Sequence, residues 1–138
     1  MIEGRVNEDF GIEIPLTLIG ADKQPVAITV TLDTGFDDRL ALPIALILRL
    51  GMPYLIPAGV TVAGNTGLES AYYGGTILWD GEQKTIPVLS IEGKPLMGML
   101  LFRGYELRFV SEVGEIVTLR KPRPRRTFRG HTAADAPD

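Results

Sequence analysis

The sequence predicts a single domain that is mainly β, with one or two short helices. Residues 11–20 and 25–33 show the alternation of apolar and polar side chains, or the β-branched runs, that are typical of strands, with a turn between them. Asp80-Gly81 is a strong hairpin signal, because this pair suits the positive backbone angles of a tight turn. Hydrophobic residues make up 45% of the 138-residue chain, which is enough for one continuous core.

The remaining elements follow from the same patterns. Four further strands are predicted at 68–79, 84–91, 105–111 and 115–120. The apolar segment 42–51 predicts a helix that is buried against the sheet and ends at Gly51. The short segment 98–104, bounded by glycines, has room for one or two helical turns.

Two segments lack a regular pattern. Residues 58–70 contain three glycines, an asparagine and few bulky side chains, which is typical of a surface hairpin loop. Residues 121–138 carry five basic and two acidic side chains without periodicity, and we predict a flexible basic tail after a domain at 1–120. The tail could bind an acidic partner or RNA, but a solvated tail is the preferred interpretation. The domain itself has no basic stripe, so nucleic acid is not an expected partner.

Composition excludes several kinds of chemistry. The chain has no cysteine, which excludes thiol catalysis and disulfides and fits a cytoplasmic protein. The only histidine, His131, lies in the tail, so a Ser-His-acid triad or a histidine-rich metal site cannot form in the domain. No phosphate-binding loop, signal peptide or membrane-spanning run is recognisable, and we expect no metal, no cofactor and no membrane association. Carboxylates are the catalytic groups that remain.

Asp33 is the best placed of these carboxylates. It follows a strand that is predicted to be half buried, where a charged side chain is costly unless it is paired, hydrogen-bonded or catalytic. Thr34 can donate and accept hydrogen bonds, and Gly35 lets a partner approach the backbone closely. Two such loops in contact would bring two carboxylates together, and these would share a proton. The neutral carboxyl could then act as an acid while the ionised one activates water.

Taken alone, Asp-Thr-Gly is ambiguous, because three residues recur by chance and these three also make a good turn. The surrounding sequence is more specific. An apolar strand with the motif ("ITVTLDTG") precedes a glycine-rich segment ("TVAGNTGLESAYYGG") and a later apolar motif with a glycine ("PLMGMLLFRGYELRF"). In this order the chain resembles the retropepsin-like (clan AA) aspartic proteases. The stretches "DTGF", "LALP" and "LMGMLLFRGYEL" are most similar to the single-domain prokaryotic members, and the resemblance covers roughly residues 1–120.

The resemblance implies a retropepsin-like half-barrel that is active as a homodimer. Asp33 would be the catalytic aspartate, Thr34 would hydrogen-bond to its twin across the dimer axis, and Gly35 would contact the substrate main chain. Gly98 would let the later motif pack behind the catalytic loop. Substrate contacts would come from Phe36, Asp37 and Asp38, although the two acids are equally well explained as exposed caps of the next segment.

The glycine-rich segment would supply the flap of such an enzyme. Its tip would comprise Ala63, Gly64, Asn65, Thr66 and Gly67, whose small side chains suit a lid that opens for a peptide. Tyr72 and Tyr73 follow, and one of them could support the flap from below. An ordinary tyrosine on the face of a hairpin is an equally good interpretation.

The sequence also departs from the viral members of the family. Phe36 stands where they usually have alanine, and Met99 and Leu100 stand where they have an arginine and a polar residue. The viral salt-bridge support of the dimer is therefore not expected here. The resulting prediction is an aspartic endopeptidase that hydrolyses a peptide bond with water activated between two Asp33 side chains. The alternative is a protease-like fold that dimerises or binds peptides with little or no turnover.

Overall fold

The structure is a computed structural model that describes residues 1–59 and 70–123. Within those residues the chain is mainly β, as the sequence predicts, with a single short helix, α1 (Ile44–Arg49). The strands are β1 (Ile2–Val6), β2 (Ile12–Ile19), β3 (Pro25–Leu32), β4 (Leu40–Pro43), β5 (Tyr54–Pro57), β6 (Ala71–Trp79), β7 (Glu82–Ile91), β8 (Leu96–Met97), β9 (Glu106–Arg108) and β10 (Ile116–Arg120). No helix in the described ranges is long and apolar enough to cross a membrane.

Six of the strands close into a ring. The order along the sheet is β5-β6-β7-β4-β8-β3-β2-β1-β10-β9, and β2 pairs with β6 in addition. This extra antiparallel pairing sets Leu18 opposite Ile77 and joins the β2–β3 hairpin to the β6–β7 hairpin. Closure removes exposed strand edges and encloses an apolar interior. β5 extends the sheet on one side of the ring, and β1, β10 and β9 extend it on the other.

The core lies inside this ring because alternate side chains of each strand point inward. In β2, Ile14, Leu16 and Leu18 are buried, whereas Glu13 before them and Pro15 between Ile14 and Leu16 are exposed. The alternation of apolar and polar residues that predicted this strand therefore matches the alternation of buried and more exposed side chains in the structure. The largest fully buried side chains come from the strands of the ring, from α1 and from β10 beside the ring: Ile14, Leu18, Val30, Leu40, Leu42, Ile47, Ile77, Val88, Met97, Val117 and Leu119.

The predicted hairpin turn at Asp80-Gly81 is confirmed. Asp80 and Gly81 have φ angles of 50° and 84°, and they connect β6 to β7. Positive angles at both central residues are those of the primed turns that match the twist of paired strands. Gly114, with a φ of 86°, lies in the connection between β9 and β10.

The predicted helix at 42–51 is partly wrong. Leu40–Pro43 forms β4, and the helix begins only at Ile44 and ends at Arg49. β4 lies between β7 and β8, so its side chains are buried on both faces, and a continuous apolar run fits such a strand as well as it fits a buried helix. Gly51 ends the helix as predicted, with a φ of 69° and its amide bonded to the Leu48 carbonyl at 3.1 Å.

The segment 98–104 forms successive turns instead of a second helix. The Leu101 amide donates to the Gly98 carbonyl at 3.1 Å, but a regular helix does not follow. Five residues between two glycines are too few to repay the cost of nucleating a helix. The predicted strand at 105–111 is also shorter, at Glu106–Arg108.

Substitutions in the β2–β6 ladder test whether closure of the ring stabilises the domain. Leu18 is fully buried, so we expect Leu18→Ala to lower the free energy of unfolding by about 2–5 kcal/mol, because it removes apolar contacts and leaves a cavity. Leu78 pairs with Thr17 in the same ladder but is 40% exposed, so Leu78→Ala should cost much less. Urea denaturation measures both values. Equal losses in the two variants would contradict a core inside the ring.

Candidate active site

Asp33 lies at the carboxyl end of β3, and the neighbouring strand β8 holds its backbone. β3 and β8 run parallel, with Leu32 opposite Met97. The Asp33 amide continues this pairing by donating to the Met97 carbonyl at 2.9 Å. The position of Asp33 therefore depends on a segment more than sixty residues further along the chain.

The residues after Asp33 turn sharply, and we call residues 33–39 the Asp33 loop. The Gly35 amide donates to Asp33 Oδ1 at 2.8 Å, and the Phe36 amide donates to the Asp33 carbonyl at 3.1 Å. Asp33 is half-buried, whereas Thr34 and Gly35 are exposed. The carboxylate therefore keeps a hydrogen bond and access to solvent within a single chain, which explains how the strand tolerates a charged residue at its end.

The Gly98 turn (residues 98–101) supports the Asp33 loop from behind. Three of its amides donate to carbonyls of the loop: Gly98 to Arg39 at 2.8 Å, Met99 to Phe36 at 2.9 Å and Leu100 to Asp38 at 3.1 Å. A Cβ atom at Gly98 would lie 2.7 Å from the Phe36 carbonyl oxygen and equally close to its ring. The two motifs that were separate in the sequence therefore pack backbone against backbone, and the contact requires glycine.

The two acids after Phe36 have different surroundings. Asp37 is exposed, whereas Asp38 is partly buried and accepts a hydrogen bond from the Tyr72 hydroxyl. Asp38 Oδ1 also accepts the Arg39 amide at 2.7 Å. The Asp38 side chain therefore holds two donors of its own chain. It does not cap α1, because that helix begins after Pro43 without a side-chain cap.

Tyr72 and Tyr73 are neighbours on β6, but their rings face different partners. Tyr72 binds Asp38, while the Tyr73 ring packs edge-on against Tyr54, with ring centroids 5.6 Å apart. One tyrosine of the pair thus links β6 to the Asp33 loop, and the other belongs to the packing of the β5–β6 hairpin. Sequence reasoning named both residues but did not identify Asp38 as the partner of Tyr72. No local signal connects two residues so far apart in the chain.

The hydrogen bond to Asp38 raises the pKa of Tyr72 above its ordinary value. Burial of the hydroxyl and the negative charges of Asp38 and Asp37 act in the same direction, and the positive charge of Arg39 partly opposes them. An ionised tyrosine could not donate to the carboxylate and would be repelled by it. The Tyr72 hydroxyl therefore stays protonated, as a donor, over the whole neutral pH range.

The predicted flap tip, Ala63 to Gly67, lies outside the described residues, as do most of the predicted tail and residues 68–69 of the predicted strand. The base of the hairpin is described. β5 pairs antiparallel with β6, and the Ala58 amide donates to the Ser70 carbonyl at 3.0 Å. The Ala71 amide donates to Ser90 Oγ at 3.0 Å, which attaches the same base to β7. The described residues on either side of 60–69 are therefore paired with each other next to Tyr72.

The described part of the site offers carboxylates as its reactive groups. The described residues hold no group of three or more acidic or histidine side chains placed to bind a metal ion. Each chain contributes one Asp33. A single carboxylate can act as a general base or a general acid, but it cannot do both at once. The arrangement therefore suits chemistry in which a second carboxylate completes the site.

Comparisons with known proteins identify the fold. A crystal structure of a retropepsin-like aspartic protease from Rickettsia conorii matches with a TM-score of 0.55, over 83% of this chain and 87% of that one. The two sequences are 20% identical over the match, so the similarity establishes a retropepsin-like fold and leaves activity to be argued from the site. No protein-family model and no curated protein sequence matches the chain.

Gly98→Ala tests the support of the Asp33 loop. The added methyl group would strike the carbonyl oxygens of Phe36 and Asp38, so we expect a loss of about 1–3 kcal/mol or more in the free energy of unfolding. Gly93→Ala is the matched control, because a Cβ there meets only the Ile91 side chain at 3.9 Å. It should change stability by less than about 0.5 kcal/mol. Thermal or urea unfolding measures both variants, and a neutral Gly98→Ala would refute the close contact.

Proposed function

We propose that this protein is an aspartic endopeptidase that acts as a homodimer. The observation that carries the proposal is the Asp33 loop itself. An Asp-Thr-Gly turn ends β3, is held by β8 and by the Gly98 turn, and presents Thr34 and Gly35 to solvent in a retropepsin-like fold. These are the features expected of one half of a two-carboxylate site.

In the proposed dimer the two-fold axis passes between the two Asp33 loops. Two carboxylates in contact cannot both ionise readily, so the pair shares one proton. The ionised member takes a proton from a water molecule, which attacks the peptide carbonyl, and the protonated member donates to the developing oxyanion. The carboxyl that took the proton from water then donates it to the leaving amine as the C–N bond breaks, and the other carboxylate takes a proton back from the gem-diol, so that the pair again shares one proton. Thr34, exposed beside Asp33, is the residue proposed to bond to its twin and hold the two loops together.

The proposed substrate is an extended peptide that lies across the paired loops like an additional strand. Backbone pairing with Gly35 fixes its position, and side chains enter pockets on alternate sides. Asp37, an exposed residue of the loop, is the acid proposed to face the substrate. Residues 63–67 are proposed to close over the bound peptide as a flap, and we expect the enzyme to work in the cytoplasm.

An apolar surface beside the Asp33 loop supports the homodimer. Met99 and Leu100 are 46% and 42% exposed, and their amides are bonded to carbonyls of the Asp33 loop. Large apolar side chains that lie together on the surface mark contact sites more often than isolated ones do. Because every contact in a two-fold interface occurs twice, burial of these residues would stabilise the dimer from both chains.

Asp33→Asn tests the chemistry. The variant keeps the shape of the side chain but cannot share a proton between two carboxylates, so peptide cleavage should fall by about 10³-fold or more while folding and dimerisation remain. Digestion of a peptide library from acidic to neutral pH, with and without a statine-type inhibitor, measures the loss. Asp22→Asn is the control and should keep full activity. Asp22 lies in the turn before β3, at the end of that strand opposite to Asp33.

Two outcomes of this experiment would contradict the proposal. Cleavage retained by Asp33→Asn would exclude Asp33 as the catalytic residue. A wild-type protein that dimerises and binds peptides without cleaving any of them would favour the alternative function, a peptide-binding module built on the same fold.

Leu100→Asp tests the dimer. A charge in an apolar two-fold contact is buried twice, so we expect the dimer dissociation constant to rise by at least about 100-fold. Leu48→Asp is the matched control, because Leu48 is 63% exposed on α1 and belongs neither to the Gly98 turn nor to the Asp33 loop. Analytical ultracentrifugation measures both variants, with circular dichroism to check their folding. A dimer that withstands Leu100→Asp, or a monomeric wild type, would contradict this interface.

A further inference from the structure

The hydrogen bond between Asp38 and Tyr72 joins two segments with different proposed tasks. Asp38 belongs to the Asp33 loop, five residues after the proposed catalytic carboxylate. Tyr72 is the second residue of β6, the strand by which the chain returns from residues 60–69. The two partners are 34 positions apart in the sequence, so their contact is made only by the tertiary fold.

Tyr72 is held rigidly enough to act as a fixed donor. Its backbone pairs with Ile56 on β5 and with Leu89 on β7, and the Ala71 amide before it is bonded to Ser90 Oγ. A donor on a strand that is paired on both sides loses little conformational entropy when it forms a hydrogen bond. Asp38 is equally restrained, because its carbonyl accepts the Leu100 amide and its Oδ1 accepts the Arg39 amide.

We propose that the Asp38–Tyr72 hydrogen bond fixes the Asp33 loop relative to the base of the β5–β6 hairpin, and that both residues are positioning residues for peptide hydrolysis. This inference rests on the proposed function, because it concerns the geometry of the same site. It also separates the two acids that the sequence grouped together. The Asp38 carboxylate is occupied by donors of its own chain, which leaves Asp37 as the acid available to substrate.

The physical consequence concerns the position of the Asp33 loop relative to the base of the β5–β6 hairpin. Without the Tyr72 hydroxyl, the partly buried Asp38 carboxylate would lose a donor and would turn towards water, and the loop would move with it. A small displacement of a catalytic group costs rate more than it costs binding. Loss of the hydrogen bond should therefore lower kcat and leave KM nearly unchanged.

The activity test uses Tyr72→Phe, which deletes only the hydroxyl. We expect kcat to fall about tenfold, the effect of losing one hydrogen bond to a charged group, with a change in KM of less than about twofold. Tyr73→Phe is the matched control, since it makes the same chemical change one residue further along β6, where the ring packs against Tyr54. An unchanged kcat in Tyr72→Phe, or an equal fall in Tyr73→Phe, would overturn the proposal.

A double-mutant cycle with Asp38→Ala separates positioning from general damage to the fold. If the two residues act through one hydrogen bond, Asp38→Ala should lower kcat in the wild-type background but have little further effect in the Tyr72→Phe background. Multiplicative losses in the double variant would show that the two residues act independently and would overturn the proposal.

A titration of Tyr72 tests the hydrogen bond even if the protein proves not to be a protease. NMR of ring-labelled tyrosine follows its ionisation, with Tyr72→Phe used to assign the signal. The charged groups near the hydroxyl are Asp38, Asp37 and Arg39, and the strand partners Ile56 and Leu89 are apolar. In Asp38→Ala the pKa of Tyr72 should therefore fall towards its ordinary value. An unchanged pKa would refute the hydrogen bond, whereas a lowered pKa without peptide cleavage would refute only the proposed function.

The hydrogen bond that raises the pKa of Tyr72 also predicts a loss of stability at alkaline pH. The pKa of Tyr72 is higher in the folded chain than in the unfolded chain. The stability that the protonated hydroxyl contributes is therefore fully present below about pH 10 and is lost as the pH rises through the pKa of Tyr72 in the folded chain. Tyr72→Phe should therefore lose less stability than the wild type between neutral pH and pH 11. Parallel pH profiles for the two proteins would contradict a Tyr72 hydroxyl bonded to Asp38.

Discussion

The arrangement of the site depends on β8, a strand of only two residues. The Asp33 loop leaves the sheet at the end of β3 and returns on β4, and β8 lies between those two strands and pairs with both. Its last carbonyl accepts the Asp33 amide, and the Gly98 turn that follows donates three amides to the loop. Because these bonds are between backbone groups, they hold the loop without using the side chains of Asp33 and Thr34.

Side chains of the Asp33 loop add a second set of contacts to these backbone hydrogen bonds. The Phe36 ring lies against Gly98, where even one added carbon would not fit, and the Asp38 carboxylate reaches across to Tyr72 on β6. The Gly98 turn therefore supports the loop from behind, and Tyr72, at the base of the β5–β6 hairpin, supports it from the side. A reactive carboxylate needs such support, since it must stay in one orientation while it remains accessible to solvent.

Sequence reasoning predicted the parts of this fold that depend on local patterns. Alternation predicted β2, and Asp80-Gly81 predicted the β6–β7 turn, because both signals act within a few residues. It failed where a segment takes its structure from distant neighbours. β4 carries an apolar run that also fits a helix, and only its place between β7 and β8 makes it a strand. The pair of Asp33 and Gly98 was recognisable through resemblance to a family, but their contact was not derivable from spacing.

By itself the sequence determined a mainly β domain, excluded cysteine and histidine chemistry in that domain, and indicated Asp33 as the carboxylate of interest. The first two conclusions need only composition and local periodicity, whereas Asp33 was singled out by its motif together with the resemblance to a known family. The tertiary structure alone decided that β2 and β6 close the ring, that Gly98 packs on the Asp33 loop, and that Asp38 binds Tyr72 while Asp37 faces solvent. Each of these depends on groups far apart in the chain, and their partners are selected by the packing of the whole sheet.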